Sequence, residues 1–154
     1  MKLRIKIKIA VAAIISLASI GALHSPPRAQ ESTQPSRSVW DGVYTEKQAE
    51  RGKTLYSQGC AACHGAEMTG GEEAPPLAGP AFLANWDGLT VGDLSERIRV
   101  SMPPNNPKSL NRQHIADILS HMLNVNGFPI GKTELDPKTE LLKQIRIEAT
   151  RPKG

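Results

Sequence analysis

The sequence predicts an all-α domain of three or more short helices joined by long loops. Ile115, Ile118, Leu119, Met122 and Leu123 recur at the i, i+3, i+4, i+7 and i+8 spacing of a single helix face. Two further stretches open on a hydroxyl residue with a polar partner three positions on, Thr45 with Gln48 and Thr90 with Asp93, the pattern of a helix N-terminus. No run alternates apolar and polar residues for long enough to make a strand.

Lys2, Arg4, Lys6 and Lys8 form a basic start, and Ile9 to Leu23 is an apolar run without a charge. That run is short of the roughly twenty apolar residues a membrane span needs, so residues 1–29 read as a secretory signal peptide. Cleavage is expected after Ala29, with Ala22 the second choice. The alternative, an uncleaved membrane anchor, is disfavoured by the same shortness. Of the 19 Lys and Arg, five precede residue 30, which leaves 14 against all 15 Asp and Glu, so the mature chain is nearly neutral. The basic balance belongs to targeting, and no basic patch with interleaved aromatics argues for nucleic acid.

The expected organisation is a disordered polar leader at 30–38, a domain at 39–131 and a C-terminal extension at 132–154. The leader has no apolar residue to bury. The first helix, capped by Thr45 with Gln48 reaching back, carries Ala49, Gly52 and Tyr56 on one side. Gly52 is costly inside a helix, which points to close approach of another helix, a surface glycine being the alternative. The second helix starts at Thr90, turns Leu94 and Ile98 inward with Val100 as an additional candidate, and stops at Pro103-Pro104. The third is capped by Asn111 and closed by Asn126-Gly127. In the extension, Asp136-Pro137 reads as a cap followed by proline at the first helical position, with Leu141, Leu142 and Ile145 as a short apolar face. The extension is expected to pack on the domain, or else to serve as a docking arm.

The chemistry lies in Cys60-Ala61-Ala62-Cys63-His64, which uses both cysteines of the chain. Two thiols three positions apart followed by histidine form a haem-attachment site: each thiol adds to a vinyl group and His64 becomes the proximal iron ligand. A thioredoxin-like pair needs a βαβ setting that is missing here. Structural zinc needs four ligands, and no second Cys or Cys/His pair supplies them. A disulfide across two residues would be strained and would tie down almost nothing. The implied cofactor is one covalently bound haem c.

The sixth iron position has five candidates. Met68 stands four residues after His64, too close to reach the opposite face. Met122 belongs to the apolar stripe of the third helix, and His114 and His121 fall off that stripe as solvated histidines. Met102 precedes Pro103, where an extended loop is expected, and lies 38 residues after His64, far enough to cross to the far side. A buried loop methionine is the alternative. Thioether ligation raises the potential and closes the iron, which suits electron transfer.

These features together resemble a class I c-type cytochrome: Gly52 and Tyr56 ahead of Cys60, Cys63, His64 and Gly65, the Pro75-Pro76-Leu77-Ala78-Gly79 loop, Met102 and the last amphipathic helix. The resemblance implies the cytochrome c fold, helices and long loops wrapped around one haem, with the glycine/aromatic pair crossing the last helix. It also implies Pro75 as the carbonyl that accepts the Nδ1 hydrogen of His64, and Trp86 as a propionate contact or simply a core aromatic. Val39 to Tyr44, Ser101-Met102-Pro103-Pro104 and Asn126 to Pro129 resemble more closely a subgroup of small periplasmic cytochromes associated with quinoprotein dehydrogenases.

The expected function is a periplasmic single-haem electron carrier and not an enzyme. Its donor would be a periplasmic dehydrogenase, of quinoprotein type in the subgroup, and its acceptor a terminal oxidase or another cytochrome. The rival is a haem protein with a labile sixth ligand, acting as a ligand sensor or peroxidase. No Lys or Arg occurs between Lys53 and Arg97, where Glu67, Glu72, Glu73 and Asp87 lie, whereas Arg97, Arg99, Lys108 and Arg112 surround Met102. That pattern is either a docking dipole or ordinary solvated charge.

Overall fold

The structure, a computed structural model, describes residues 37–72 and 74–153; the expected signal peptide at 1–29, the expected leader up to residue 36, Glu73 and Gly154 lie outside the described residues. Among the described residues six helices follow one another: α1 (Glu46–Gly59), α2 (Ala61–His64), α3 (Gly79–Trp86), α4 (Val91–Ser101), α5 (Arg112–Val125) and α6 (Thr139–Leu142). A 3-10 turn at Val39–Asp41 precedes them. The domain is all-α in character, as expected, and is built on the crossing of α1 over α5.

Gly52 sets that crossing. A Cβ added there would stand 1.8 Å from the main-chain oxygen of Asp117 on α5, so only glycine lets the two backbones approach this closely. Ala49 and Tyr56 are buried on the same side of α1. Opposite them lie Ile115, Ile118, Leu119, Met122 and Leu123, each at most 3% exposed. Burying each such side chain is worth about 1.5–3 kcal/mol, so this interface dominates the core.

The caps follow the local chemistry, with one difference. Thr90 accepts from Asp93 N while the Asp93 side chain accepts from Thr90 N, a complete capping box. Asn111 caps α5 by accepting from His114 N at 2.8 Å. At α1, Thr45 accepts from Gln48 N, but the Gln48 side chain does not turn back to the cap. It is fully buried, donating from Nε2 to Asp117 Oδ1 (3.2 Å) and to the Leu135 carbonyl (3.0 Å), and accepting from Leu135 N at 2.6 Å. A buried amide meets its hydrogen-bonding needs wherever partners are available, and tertiary partners here displace the local one. Gln48→Ala should leave both backbone groups of Leu135 unpaired, lowering stability by about 1–3 kcal/mol and speeding protease cleavage of the extension. An unchanged denaturant midpoint would contradict this role.

Helix α3 was not expected. Its signal is Pro80 in the first turn after an extended Ala78, but the apolar run Phe82, Leu83, Trp86 is too short to show a period. Val100 is 39% exposed, because it stands two residues beyond Ile98 and so points away from the face that Leu94 and Ile98 share.

The extension contributes to the same core through Leu135, Leu142, Ile145 and Ile147, each at most 4% exposed. The expected cap is displaced: Asp136 Oδ1 accepts from Lys138 N at 2.8 Å, forming a turn before α6, and Lys138 is the N-cap. Leu141 is 40% exposed, because α6 ends at Leu142 and the helical spacing to Ile145 no longer applies. Strand β2 (Ile145–Arg146) then pairs in parallel with β1 (Arg37–Ser38). The last two residues of the expected leader are therefore ordered, and Ser38 also caps the 3-10 turn. Within that turn Trp40 meets Phe128 edge to face at 4.9 Å, and beyond it Tyr44 Oη donates to the Phe128 carbonyl at 2.7 Å.

Candidate functional site

The last turn of α1 delivers the chain directly into the cysteine motif. Cys60 N donates to Tyr56 O at 2.8 Å, and Cys60 then leaves helical geometry (φ −125°, ψ −38°), so that α2 starts in a new direction. Within this single turn, Cys63 N and His64 N both donate to Cys60 O, at 3.2 and 3.0 Å. Cys60 is half-buried, Cys63 is exposed and both are free thiols; burial pushes the Cys60 thiol up, with Cys63 adding to the shift. Tyr56 Oη donates to the Gly65 carbonyl at 2.7 Å, fixing the exit of the motif, and its burial pushes its pKa up to about 12.

The loop after the motif winds around Met68, which is fully buried. Its carbonyl accepts from Leu77 N (2.8 Å) and Ala78 N (3.2 Å), while Gly70 N donates to His64 O at 3.0 Å. Gly70 adopts φ +78°, and a Cβ there would come within 2.6 Å of Pro76 N, so the tight fold-back requires glycine. This winding brings the Pro75 carbonyl oxygen to 2.9 Å from Nδ1 of His64. A carbonyl only accepts, so Nδ1 carries the hydrogen and Nε2 keeps its lone pair. His64 is thus a buried, oriented imidazole whose Nε2 lone pair is of the kind that binds a metal.

Met102 follows the last residue of α4. Its N–H donates to Ile98 O at 2.9 Å, while its own backbone is extended (φ −120°, ψ 146°), as the following proline demands. Its side chain is half-buried. Leu77, Leu83, Trp86, Ile98 and Leu110 pack on the core yet stay partly exposed. Two thiols and an oriented imidazole on one turn, with a half-buried thioether on a later loop, are donors of the kinds that fit haem c.

The other candidates are engaged elsewhere. Met122 is buried in the α5 core. His121 is not a solvated histidine: it is half-buried against Tyr56, with ring centroids 5.7 Å apart, and burial lowers its pKa, with Lys53 adding to the shift. His114 is half-buried in the first turn of α5. Trp86 packs against Phe82 at 6.3 Å. The charge pattern is also thinner than its residues suggest. Arg99 pairs with Glu96 at 2.6 Å inside α4, and Asp87 accepts from Ala149 N at 2.8 Å, whereas Arg97, Lys108, Glu67 and Glu72 remain exposed. The side chain of Asn126 and the carbonyl of Met68 organise the Pro75 loop, and neither was singled out from sequence. Asn126 stood out in sequence only as the helix end beside Gly127 and as the start of the Asn126 to Pro129 stretch, and neither signal points to the Pro75 loop.

The family described as cytochrome c oxidase, cbb3-type, subunit III matches residues 47–122. Subunit CcoP of the cbb3-type cytochrome c oxidase of Azospirillum brasilense is 34% identical over 85 residues, which is 51% of this chain and 29% of that protein. The match therefore spans under a third of the length of that curated relative. The solved sulfane dehydrogenase SoxCD of Paracoccus pantotrophus is similar with a TM-score of 0.46 at 20% identity, covering 70% of this chain and 61% of that one. Among the described residues no helix is long and apolar enough to cross a membrane.

Proposed function

The chain carries a class I c-type cytochrome domain, an electron-transfer module whose family implies haem c, and on that premise we propose a periplasmic, single-haem, one-electron carrier. The observation that carries this reading is the single turn holding Cys60, Cys63 and His64, with His64 oriented by Pro75 at 2.9 Å. Cys60 and Cys63 would hold the haem covalently, each supplying a thiol for one thioether link. His64, through Nε2, and Met102, through Sδ, would be the residues that bind the iron. The haem, when bound, supplies a one-electron couple, and the Met/His pair sets it high. Trp86 contributes apolar contact, with its indole N–H available to a propionate.

Export rests on residues 1–29. The donor in this reading is a periplasmic dehydrogenase, a quinoprotein being one such donor. The acceptor is another cytochrome or a terminal oxidase, the latter supported by the oxidase subunit to which the chain is similar. Arg97 and Lys108 beside Met102, and Glu67 and Glu72 beside the motif, give a docking partner opposite charges to read.

The test is to express the chain with haem-maturation machinery, count haem per protein, and follow reduction by purified periplasmic dehydrogenases at several ionic strengths. One covalent haem, lost in Cys60→Ala/Cys63→Ala, and reduction that slows as salt rises are expected. A wild-type ferrous protein that binds carbon monoxide readily would instead favour a ligand sensor or peroxidase.

A further inference from the structure

Asn126 is the last structural feature of α5 before the chain turns at Gly127, and its side chain reaches across to the loop that carries Pro75. Asn126 Oδ1 accepts from Gly79 N at 3.0 Å, and Nδ2 donates to Leu77 O at 3.0 Å and to Met122 O at 2.8 Å. Leu77 is therefore held from both sides, its N–H on the Met68 carbonyl at 2.8 Å and its own carbonyl on Asn126. Pro75 lies two residues before this doubly held position and places its carbonyl 2.9 Å from Nδ1 of His64. A helix cap needs only the contact to Met122. The two bonds to Leu77 and Gly79, 49 and 47 residues away in sequence, serve the loop.

We infer that Asn126 is a positioning residue for the proximal ligand: it holds the Pro75 carbonyl in register with His64 and so tunes the electron richness of the imidazole. This rests on the reading of His64 as the iron ligand. A strong Nδ1–H···O bond makes Nε2 a better donor, which favours the ferric state. Loosening the loop weakens that bond, so the ferrous state gains and the potential rises. General loosening of the pocket has the opposite sign, because water entering beside the haem stabilises the charged ferric form and lowers the potential.

The experiment is redox titration of the intact haem-loaded protein with Asn126→Ala, and with Asn126→Ser, which keeps a small polar group at the helix end but cannot span to Leu77. Both variants should raise the ferrous-to-ferric ratio at fixed ambient potential by up to about tenfold, equivalent to 59 mV for one electron. Proton NMR of the His64 Nδ1 hydrogen should show faster exchange with solvent. Tyr44→Phe, which removes the nearby buried hydrogen bond to the Phe128 carbonyl and none of the three bonds of Asn126, should leave the potential unchanged while lowering stability. An unchanged or lower potential in the Asn126 variants, with the wild-type haem spectrum retained, overturns the role of Asn126 and leaves the haem reading standing. A wild-type protein that carries no haem, or whose haem spectrum survives His64→Ala, overturns both.

Discussion

Met102→Ala should open the iron: the weak sulfur-to-iron absorption of the oxidised protein disappears and the ferrous form begins to bind carbon monoxide. The potential should also fall, on the order of 0.1 V or more within the roughly 0.8 V that axial ligands command. The reason is the softness of the thioether, which favours ferrous iron; alanine leaves water or a hydroxide there and favours ferric iron. The fold should survive, because Met102 is half-buried at the end of α4 and contributes its backbone N–H, which alanine retains, to Ile98 O. If the variant keeps both the absorption and the potential of the wild type, Met102 is not the ligand. Absorption spectra, carbon monoxide titration and redox titration of one preparation are sufficient to decide it.

Gly52→Ala should be among the most destabilising single-methyl changes in the chain. In an isolated helix, alanine at this position would add about 1 kcal/mol of stability relative to glycine. Here the new Cβ would lie 1.8 Å from Asp117 O, 2.5 Å from its carbonyl carbon and 3.0 Å from the Cβ of His121. Two of those three atoms are backbone, so no rotamer change relieves the clash. α1 and α5 must separate, straining the buried bonds of Gln48 and Arg51 to Asp117 and opening the interface of Ile118, Leu119 and Met122. The net loss should be about 3 kcal/mol or more, at the upper end of overpacking effects. Denaturant unfolding of the haem-loaded protein measures it, and a midpoint equal to or above the wild type's would show that the crossing can relax.

These two positions also show how unevenly the molecule was readable from its residues. Gly52 was legible because glycine within a helix is locally unfavourable, and a local cost without local benefit points to a tertiary contact. The stripe of α5 and the caps at Thr90 and Asn111 were legible for a similar reason, since each depends on neighbours within one or two turns. Helix α3 was not, because eight residues with a proline in the first turn carry too little periodicity to separate from a loop. Gln48 was misread as a local cap because its alternative partners, Asp117 and Leu135, lie 69 and 87 residues away. Arg99 was counted toward a docking face, although Glu96 three residues earlier neutralises it. His121 was taken as solvated because its position off the apolar stripe says nothing of Tyr56 arriving from α1.

By itself the sequence was enough to propose the chemistry: Cys60, Cys63 and His64 stand together in the chain, so the haem-attachment reading needs no tertiary information. It also determined the helical class and the crossing glycine, which rest on short-range periodicity and on a steric cost. Only the tertiary structure decided how His64 is aimed, because that depends on a loop wound on the Met68 carbonyl, held by Asn126 from the far end of α5, and ending with the Pro75 carbonyl at Nδ1. Hydrogen bonds between residues so far apart leave no period and no spacing in the chain. Their partners become visible only when folding brings them within 3 Å of each other.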